Sequence, residues 1–335
     1  MILVTGATGL LGSNLCLELV LTNNNILATY HSEAKIDKVK KLFKWRFEEE
    51  WEHYFNKLNW EKLDVLDIYN VEKTIKKVDY VYHCAALVSF HKRDFSALMK
   101  VNAQGTSNIV NACLKFNVKK LLHVSSTSAV GKVLNHTVSY VAEKNKWENS
   151  KNVSGYGISK YTAEKEVWRS IEEGLNAVII NPSIIFGPGS WEESSLSIFR
   201  QIEKGLSFYT EGENAFVSVK DVVDAMIFLM ENDFKSERYL CTGNNVSFKE
   251  LFSLIAKKLN KKEPRWKASR WMIELAWKIA YLKVLFGEKP NITKETAHSS
   301  YEKTIYSSEK LKSIYGKEFL SLEETIDYTV TGRIV

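Results

Sequence analysis

Residues 5–12 of the chain are Thr5-Gly6-Ala7-Thr8-Gly9-Leu10-Leu11-Gly12, and they directly follow the apolar run Ile2–Thr5. Three glycines at this spacing, between a strand and a helix, are typical of a turn that binds a phosphate group. Gly6 permits the tight turn, Gly9 lets backbone N–H groups approach a pyrophosphate, and Gly12 allows close packing of the helix on the strand. The sequence therefore predicts a strand, an anion-binding turn and a helix at its N-terminal end.

Short apolar runs alternate with helical patterns through the first two thirds of the sequence. The predicted strands are Ile2–Thr5, Ile26–Tyr30, Trp60–Leu63, Tyr80–Cys84, Lys120–Ser125 and Ala177–Asn181. The predicted helices are Gly12–Leu21, Val71–Lys77, Phe95–Phe116 and Tyr156–Glu173. This alternation predicts an α/β fold with a doubly wound parallel Rossmann sheet, in which ligands bind beyond the carboxyl ends of the strands.

The turn Gly187-Pro188-Gly189 separates two predicted regions, because the regular alternation weakens after it. Residues 1–186 are predicted to form an NAD(P)-binding Rossmann domain, into which residues 32–57 are inserted as one or two amphipathic helices. Residues 187–335 are predicted to form a smaller, mostly helical substrate lobe, from which some strands and helices return to the first domain.

Composition limits the classes of partner. The 335 residues include 46 Lys or Arg and 40 Asp or Glu, for a formal net charge of +6. Because the two signs are interspersed, we expect a solvated mixed surface and no nucleic-acid interface. The four cysteines have no metal-like spacing, and the N-terminus has no basic signal segment. We therefore expect free thiols, no metal site and a cytoplasmic location.

The most apolar stretch runs from Trp271 to Phe286 and contains Glu274, Lys278 and Lys283. These charges exclude a membrane span. We expect an amphipathic helix packed under the fold, and hence a soluble protein without a membrane partner. A helix that lies on a membrane surface is the alternative.

Tyr156 and Lys160 are four residues apart in a predicted helix, so both lie on one face. A fixed cation beside a phenol favours its ionised form and lowers its pKa toward working pH. Tyr156 could then donate a proton to a carbonyl oxygen or accept one from an alcohol. The hydroxyl-rich stretch Ser125–Ser128 follows the strand that precedes this helix, and one of its hydroxyls could hydrogen-bond the reacting oxygen.

The end of the second strand distinguishes NAD from NADP, because a carboxylate there binds the ribose hydroxyls and repels the extra phosphate. No carboxylate occurs between Ala28 and Glu33. His31, Ser32 and Lys35 could contact a 2′-phosphate, or they are ordinary loop residues. The sequence thus favours NADP(H) over NAD(H).

Together these motifs resemble those of the extended short-chain dehydrogenase/reductase family, also called the NAD-dependent epimerase/dehydratase family, over nearly the whole chain. The glycine turn is similar to the cofactor loop of that family, and Asp64-Val65 to its adenine-contacting pair. His83-Cys84-Ala85-Ala86, followed by Leu87, resembles the strand end beside the cofactor ribose. The stretch 181–189 resembles the motif R-P-x-x-x-x-G-P-G, whose Pro182 and Ser183 flank the nicotinamide, although Asn181 replaces its Arg.

The resemblance also implies a catalytic tetrad of Thr127, Tyr156, Lys160 and Asn102, in which Lys160 holds the nicotinamide ribose as well. Asn102 lies in Val101-Asn102-Ala103-Gln104-Gly105-Thr106, which is similar to a V-N-x-x-G-T helix whose Asn shapes a proton-relay water site. We expect Val88, Phe90 and Ser128 to contact the substrate. The helices that carry Asn102 and Tyr156 form a bundle in this family, so the resemblance allows a homodimer.

Departures from the family pattern indicate the reaction. Ser128-Ala129 follow Thr127 where dehydratases have an acidic pair, which disfavours sugar dehydration. Asn214-Ala215 occupy the region where nucleotide-sugar epimerases have an Arg for the substrate diphosphate, and Lys220 is a poorer match for that group. We expect Asp221 to cap the helix that follows it. The apolar pocket and the aromatic C-terminal region favour the dihydroflavonol-reductase and 3β-hydroxysteroid-dehydrogenase branches.

The favoured function is an NAD(P)-dependent oxidoreductase that transfers hydride between nicotinamide and a ketone, aldehyde or secondary alcohol on a largely apolar small molecule. The alternative is a nucleotide-sugar 4-epimerase that uses the same tetrad. A more distant alternative is a non-catalytic dinucleotide-sensing protein. Such proteins commonly lose the Tyr or the Lys, and because both are present here, the enzyme ranks first.

Overall fold

The structure is a computed structural model that describes residues 1–23, 25–131, 140–147, 153–192, 194–282 and 293–335. The strands are, in chain order, β1 (Ile2–Thr5), β2 (Ile26–Tyr30), β3 (Leu58–Lys62), β4 (Tyr80–His83), β5 (Lys120–Val124), β6 (Ala177–Pro182), β7 (Ile184–Phe186), β8 (Gly189–Ser190), β9 (Phe208–Tyr209), β10 (Glu213–Ser218), β11 (Glu237–Cys241), β12 (Asn244–Ser247), β13 (Trp266–Lys267) and β14 (Arg333–Ile334). The α-helices are α1 (Leu10–Thr22), α2 (Ile36–Phe47), α3 (Trp51–Phe55), α4 (Ile68–Ile75), α5 (Phe95–Leu98), α6 (Gly105–Lys115), α7 (Gly155–Glu172), α8 (Ser197–Glu203), α9 (Val219–Glu231), α10 (Phe248–Lys258), α11 (Arg270–Leu282), α12 (Lys294–Ser299), α13 (Glu309–Tyr315) and α14 (Leu322–Thr331).

The central sheet has the strand order β11-β6-β5-β4-β1-β2-β3, and all neighbouring strands in it are parallel. The order moves outward from β1 in both directions, so the chain reverses between β1 and β4. A crevice opens beyond the carboxyl ends of two strands at such a switch point. This is the doubly wound α/β sheet that the sequence predicts.

Side chains of successive residues in the central strands are buried on opposite faces of the sheet. Leu3, Val81 and Ile179 pack with α4, α6 and α7, whereas Val4 and Leu122 pack with α1 and α9. Strands that are buried on both faces are continuous apolar runs in the sequence. This is why the pattern locates the six predicted strands to within two residues.

The predicted helix Phe95–Phe116 changes its hydrogen bonding along its length. α5 is followed by a π-helical turn at Met99–Gln104 and then by α6. A π turn inserts an extra residue, changes which side chains face inward, and often occurs at functional sites. Here it carries the buried Asn102.

The segment 32–57 contains a short 3₁₀ turn at Glu33–Lys35, then α2 and α3. Its apolar side chains Leu42, Phe43 and Phe55 are buried in the same cluster as the α1 residues. The ring of Phe43 meets the edge of Phe55 at a centroid distance of 5.3 Å. The segment therefore enlarges the core on one face of the sheet.

Residues beyond 187 contribute strands to the central sheet and to three smaller sheets among the described residues. β11 is the edge strand of the central sheet, and α9 packs against that sheet. β7, β10 and β12 form a three-stranded sheet, whose core includes the buried rings of Phe186, Phe199 and Phe216. The division of the chain at residues 186 and 187 stays a prediction.

Asp221 does not cap α9. The N-cap is Ser218, whose hydroxyl accepts a hydrogen bond from the Lys220 backbone at 3.2 Å. Asp221 lies in the first turn, and its carboxylate accepts a hydrogen bond from the backbone N–H of Leu320 at 3.0 Å. Burial raises the pKa of Asp221 to about 6. The expected cap was wrong because a serine already occupies the N-cap position.

The apolar stretch that begins at Trp271 forms α11, and residues 283–286 lie outside the described residues. No residue between 270 and 281 is buried. One face of α11 is half-buried against α12 and the other is exposed, so the expected amphipathic helix is present but lies at the surface and not beneath the fold. Among the described helices, none is long and apolar enough to cross a membrane.

Candidate active site

The glycine turn lies between β1 and α1, beside the switch point of the sheet. Gly6 has a φ of +66°, and a Cβ on it would lie 2.7 Å from Ala85 Cα. A Cβ on Gly12 would lie 2.3 Å from the Gly6 carbonyl oxygen. No larger side chain fits at either position, because each clash is with backbone atoms.

Gly9 has more space than the other two glycines. A Cβ on it would meet only the Gly6 carbonyl oxygen, at a normal contact distance of 3.4 Å. Gly9 is exposed and is the N-cap of α1, and no side chain caps this helix. The first N–H groups of α1 are thus open to an anion. The turn fits a dinucleotide pyrophosphate. A Cβ at Gly9 would fill the space above the turn, and because glycine leaves this space open, backbone N–H groups can reach phosphate oxygens there.

The predicted adenosine-side residues lie at the ends of β2 and β3. The residues after β2 are exposed, namely His31, Ser32 and Lys35. His31 Nε2 is 3.9 Å from Asp64 Oδ2, and Asp64 Oδ1 accepts a hydrogen bond from Leu66 N at 2.9 Å. Asp67 caps α4. Val65 is buried against Gly105.

Asn102 fixes the loop that follows β4. Its Oδ1 accepts a hydrogen bond from Leu87 N at 2.7 Å, and its Nδ2 donates to Leu87 O and to Ser159 Oγ, both at 2.9 Å. At the start of the same loop, Ala85 N donates to Thr5 Oγ1 at 3.2 Å. Asn102 therefore holds Ala85–Leu87 between the glycine turn and α7. Its proton-relay role stays a prediction.

Tyr156 lies in the first turn of α7, which Ser154 caps through a 2.9 Å hydrogen bond from Gly157 N. Its hydroxyl hydrogen-bonds Ser126, and burial raises its pKa to about 12. Its ring meets that of Phe90 at a centroid distance of 5.7 Å and an angle of 62°. The phenol thus carries its proton at neutral pH, beside one hydroxyl and one aromatic wall.

Lys160 is buried one helical turn after Tyr156, and its Nζ donates to the carbonyl of Val124 at 2.7 Å. Burial lowers the pKa of Lys160 to about 8, while Glu164 opposes this shift. The sequence predicted that the lysine would lower the pKa of Tyr156. That direction is wrong for this structure, because burial of the phenol outweighs other effects and the ammonium points at the end of β5.

Thr127 faces a different tyrosine. Its side chain hydrogen-bonds the hydroxyl of Tyr306, which lies between α12 and α13. Ser126, one residue earlier, is the hydroxyl beside Tyr156. The sequence located the row of hydroxyls correctly next to the phenol. It could not show which hydroxyl faces it, because adjacent residues at the start of a 3₁₀ turn point in different directions.

The remaining predicted residues lie at the end of β6, in the 3₁₀ turn after β5 and on the loop after β4. Pro182 ends β6 and Ser183 follows it, both of them buried. Ser128 N donates to Ser126 Oγ at 3.1 Å. Val88 is 46% exposed on the loop that carries Phe90, which is 37% exposed. The structure therefore brings Phe90 and Ser128 to the Tyr156–Ser126 pair, and it leaves Val88 open to solvent.

The sequence profile described as the NAD dependent epimerase/dehydratase family matches residues 2–241. The chain belongs to this family. It is 28% identical over 268 residues to tetraketide alpha-pyrone reductase 2 of Arabidopsis thaliana, which covers 76% of this chain and 82% of that protein. It is 27% identical over 267 residues to sterol demethylase protein B of Methylococcus capsulatus, covering 78% and 76%. It is 21% identical over 330 residues to a putative dihydroflavonol 4-reductase of Synechocystis, covering 96% and 91%.

Solved structures show the same architecture. The crystal structure of gox2253 superposes with a TM-score of 0.79 at 26% identity, covering 99% of this chain and 97% of that one. UDP-glucuronic acid 4-epimerase from Bacillus cereus, in complex with UDP-glucuronic acid and NAD, superposes with a TM-score of 0.76 at 18% identity, covering 99% and 98%. The second likeness concerns the fold alone. The chain is thus a family enzyme, a reductase or an epimerase, that binds a nicotinamide dinucleotide.

A buried carboxylate lies behind the Tyr-Lys pair of this family member. Glu164 Oε2 accepts hydrogen bonds from Ser125 Oγ at 2.7 Å and from Asn181 Nδ2 at 2.8 Å. Glu164 Oε1 accepts from Arg238 Nη1 at 2.9 Å. Asn181 stands where the family motif has Arg, and Arg238 on β11 brings a guanidinium to the carboxylate instead. The buried charge therefore keeps a cationic partner. Sequence reasoning missed Glu164 and Arg238, although Glu164 follows Lys160 by one turn on the same helix face.

We expect Gly9→Ala to weaken cofactor binding while leaving the fold intact. Gly9 has φ −85° and ψ 169°, which alanine adopts freely, but its methyl group would occupy the space above the α1 N-terminus. The dissociation constant for NADPH, measured by fluorescence titration, should rise at least about tenfold, a loss of about 1.4 kcal/mol. The melting temperature should change little. Gly12→Ala is the contrasting variant, since its methyl group clashes with the chain itself and should lower the melting temperature. Unchanged NADPH affinity in Gly9→Ala would show that phosphate does not bind at this turn.

We expect Glu164→Gln to shift the alkaline limb of the pH profile of kcat/KM to lower pH. Glu164 raises the pKa of Lys160, so its removal lets the ammonium lose its proton at a lower pH. The shift should be on the order of one pH unit. Glu172→Gln, at the exposed end of the same helix, is the matched control and should leave the limb in place. A limb that stays fixed or moves to higher pH would contradict this coupling.

Proposed function

We propose that the enzyme transfers hydride between the nicotinamide and a ketone, aldehyde or secondary alcohol on a largely apolar small molecule. The observation that carries this proposal is the hydroxyl of Tyr156, which hydrogen-bonds Ser126 and is bordered by the ring of Phe90. These groups can hold a carbonyl oxygen at a proton donor and place the rest of the molecule against an apolar wall.

The nicotinamide, when bound, supplies or accepts the hydride. Tyr156 keeps its proton at neutral pH because burial raises its pKa to about 12, and it donates this proton as negative charge develops on the carbonyl oxygen. Ser126 stabilises the phenolate that forms by hydrogen bonding. In alcohol oxidation the same groups act in reverse. The resemblance gives the orienting role to Thr127, but because Thr127 faces Tyr306 we assign this role to Ser126, which lies beside Tyr156. Asn102 would support proton resupply.

The surroundings of β10 favour an apolar substrate over a nucleotide sugar. Asn214 bonds locally, with its Oδ1 accepting from Ala215 N at 2.8 Å, and Ala215 is buried. The Lys220 ammonium is paired with Asp224 at 2.8 Å. Neither element therefore offers the bidentate cation that suits a diphosphate. The names of two relatives, a tetraketide alpha-pyrone reductase and a putative dihydroflavonol 4-reductase, support the reductase over the 4-epimerase.

We further propose that NADP(H) is preferred over NAD(H). His31, Ser32 and Lys35 are exposed directly after β2, where a carboxylate would otherwise select NAD. A cytoplasmic location stays a prediction that the four free thiols support, three of which are buried. A homodimer through α6 and α7 also stays a prediction.

Tyr156→Phe should lower kcat/KM for apolar ketones and aldehydes at least about a hundredfold, because the variant lacks the proton donor. Its dissociation constant for NADPH should match that of the unmodified enzyme. Tyr161→Phe, on the same helix and stacked on Trp147, is the control and should keep its activity. Turnover of Tyr156→Phe at a near-normal rate would refute the assignment.

Thermal stabilisation by UDP- or GDP-sugars alone, across a panel that includes apolar ketones, would favour the 4-epimerase.

Ser32→Asp should reverse the cofactor preference. The new carboxylate at the end of β2 would repel a 2′-phosphate and accept hydrogen bonds from ribose hydroxyls. The ratio of NADPH to NADH affinity should fall at least about tenfold, which corresponds to about 1.4 kcal/mol. Ser32→Asn, similar in size but uncharged, is the control. An unmodified enzyme that binds NADH more tightly than NADPH would overturn the proposed preference.

A further inference from the structure

α11 presents apolar side chains to solvent along one face. Trp271, Leu275 and Ile279 recur every four residues and therefore form one stripe on the helix. They are 69%, 49% and 52% exposed, and Tyr281 nearby is 64% exposed. A helix with this much apolar surface is normally buried against other protein or lies at an interface.

The β9–β13 ribbon, which leads into α11, adds two aromatic side chains. Phe208 and Trp266 are register partners in the ribbon and are 43% and 66% exposed. Trp266 precedes Trp271 by only five residues. Tryptophan combines an apolar ring with a hydrogen-bonding N–H and is enriched where lipid meets water. We refer to Trp266, Trp271, Leu275, Ile279 and Tyr281 as the α11 surface.

Positive charge is concentrated in the same segment. Residues 257–282 contain eight Lys or Arg and two Glu, a net charge of +6, which equals the formal net charge of the whole chain. The rest of the sequence is electrically balanced. The expectation of interspersed charge is therefore correct for most of the chain and wrong here.

Part of this charge is exposed and part is paired. Lys258 pairs with Asp327 at 2.8 Å and Lys267 with Glu211 at 2.7 Å, each an acid from another part of the chain. Lys261, Lys262 and Arg265 are exposed at the turn between α10 and the ribbon. The basic residues thus flank the apolar stripe along the chain, an arrangement typical of helices that lie in the plane of an anionic membrane.

We propose that the α11 surface docks on an anionic lipid bilayer. Trp271, Leu275 and Ile279 enter the boundary between headgroups and acyl chains, and the basic residues of 257–270 contact lipid phosphates. The helix lies along the surface in this proposal, because its described part has 13 residues and no described helix is long and apolar enough to span. A protein partner would be expected to have a surface complementary to the apolar stripe. The basic residues around the stripe favour an anionic bilayer over such a partner.

The docking helix is connected to the active site through α12. His298 Nε2 is 3.0 Å from Glu274 Oε1 on α11, and Glu295 Oε1 accepts a hydrogen bond from Gly155 N at 3.4 Å. Gly155 immediately precedes Tyr156. A bilayer under α11 would therefore lie close to the crevice, where an apolar substrate could enter from lipid. This last step rests on the proposed function, whereas the docking itself does not.

The test is co-sedimentation of the full chain with vesicles of phosphatidylcholine alone and of phosphatidylcholine with phosphatidylglycerol. We expect binding to the anionic vesicles that weakens as salt rises. The triple variant Trp271→Gln/Leu275→Gln/Ile279→Gln should reduce the partition coefficient at least about tenfold. Lys261→Gln/Lys262→Gln should reduce both the binding and its salt dependence. Melting temperature and NADPH affinity should be unchanged in both variants.

The matched control is Ile68→Gln/Tyr69→Gln on α4, whose side chains are 56% and 76% exposed and lie outside the α11 surface. It should bind vesicles like the unmodified chain. Equal loss of binding in this control, or no binding to anionic vesicles, would overturn the proposal. So would a triple variant that dissociates an oligomer in size-exclusion chromatography but still binds vesicles. Tyr156→Phe should still bind vesicles, which separates failure of docking from failure of the proposed function.

Discussion

The geometry of the active site depends on a set of buried charges behind Tyr156. Lys160, Glu164 and Arg238 lie together where α7 meets the ends of β5, β6 and β11. Burying an isolated charge is costly, whereas the Glu164 carboxylate has a guanidinium partner and three further donors, Ser125, Trp168 and Asn181. Because Glu164 is held by residues of β6 and β11 and by Ser125 directly after β5, these hydrogen bonds fix the position of α7 on the sheet. The phenol at its N-terminal end is fixed as a consequence.

Close backbone packing fixes the other side of the crevice. Gly6 lies against Ala85, and Asn102 holds Leu87 while it also contacts α7 through Ser159. The glycine turn, the loop after β4 and α7 are therefore one connected unit. Steric contact between backbone atoms fixes the glycine turn in this unit, and hydrogen bonding of buried polar groups fixes α7.

Local patterns in the sequence were sufficient for the fold and for several of the residues that the structure brings together around Tyr156. The parallel strands are apolar runs because they are buried on both faces, the glycines are dictated by backbone contacts, and Tyr156 and Lys160 share a face by helical spacing. Features that depend on contacts between distant residues were not predictable in this way. Arg238 reaches Glu164 across 74 residues of chain, and Thr127 turns toward Tyr306. The backbone N–H of Leu320 donates to the carboxylate of Asp221 that was expected to cap a helix, and the exposure of α11 depends on which distant residues pack on it within the described part of the chain.

The central claim is that the phenol of Tyr156 and the hydroxyl of Ser126 face the reactive ring of a dinucleotide bound at the glycine turn. A crystal structure of the enzyme with NADP(H) tests this most directly. The account predicts the pyrophosphate over the N-terminus of α1 and the nicotinamide C4 turned toward Tyr156 Oη, with space between them for a carbonyl group. A nicotinamide held on the far side of the crevice, or a phenol turned away from C4, would contradict it.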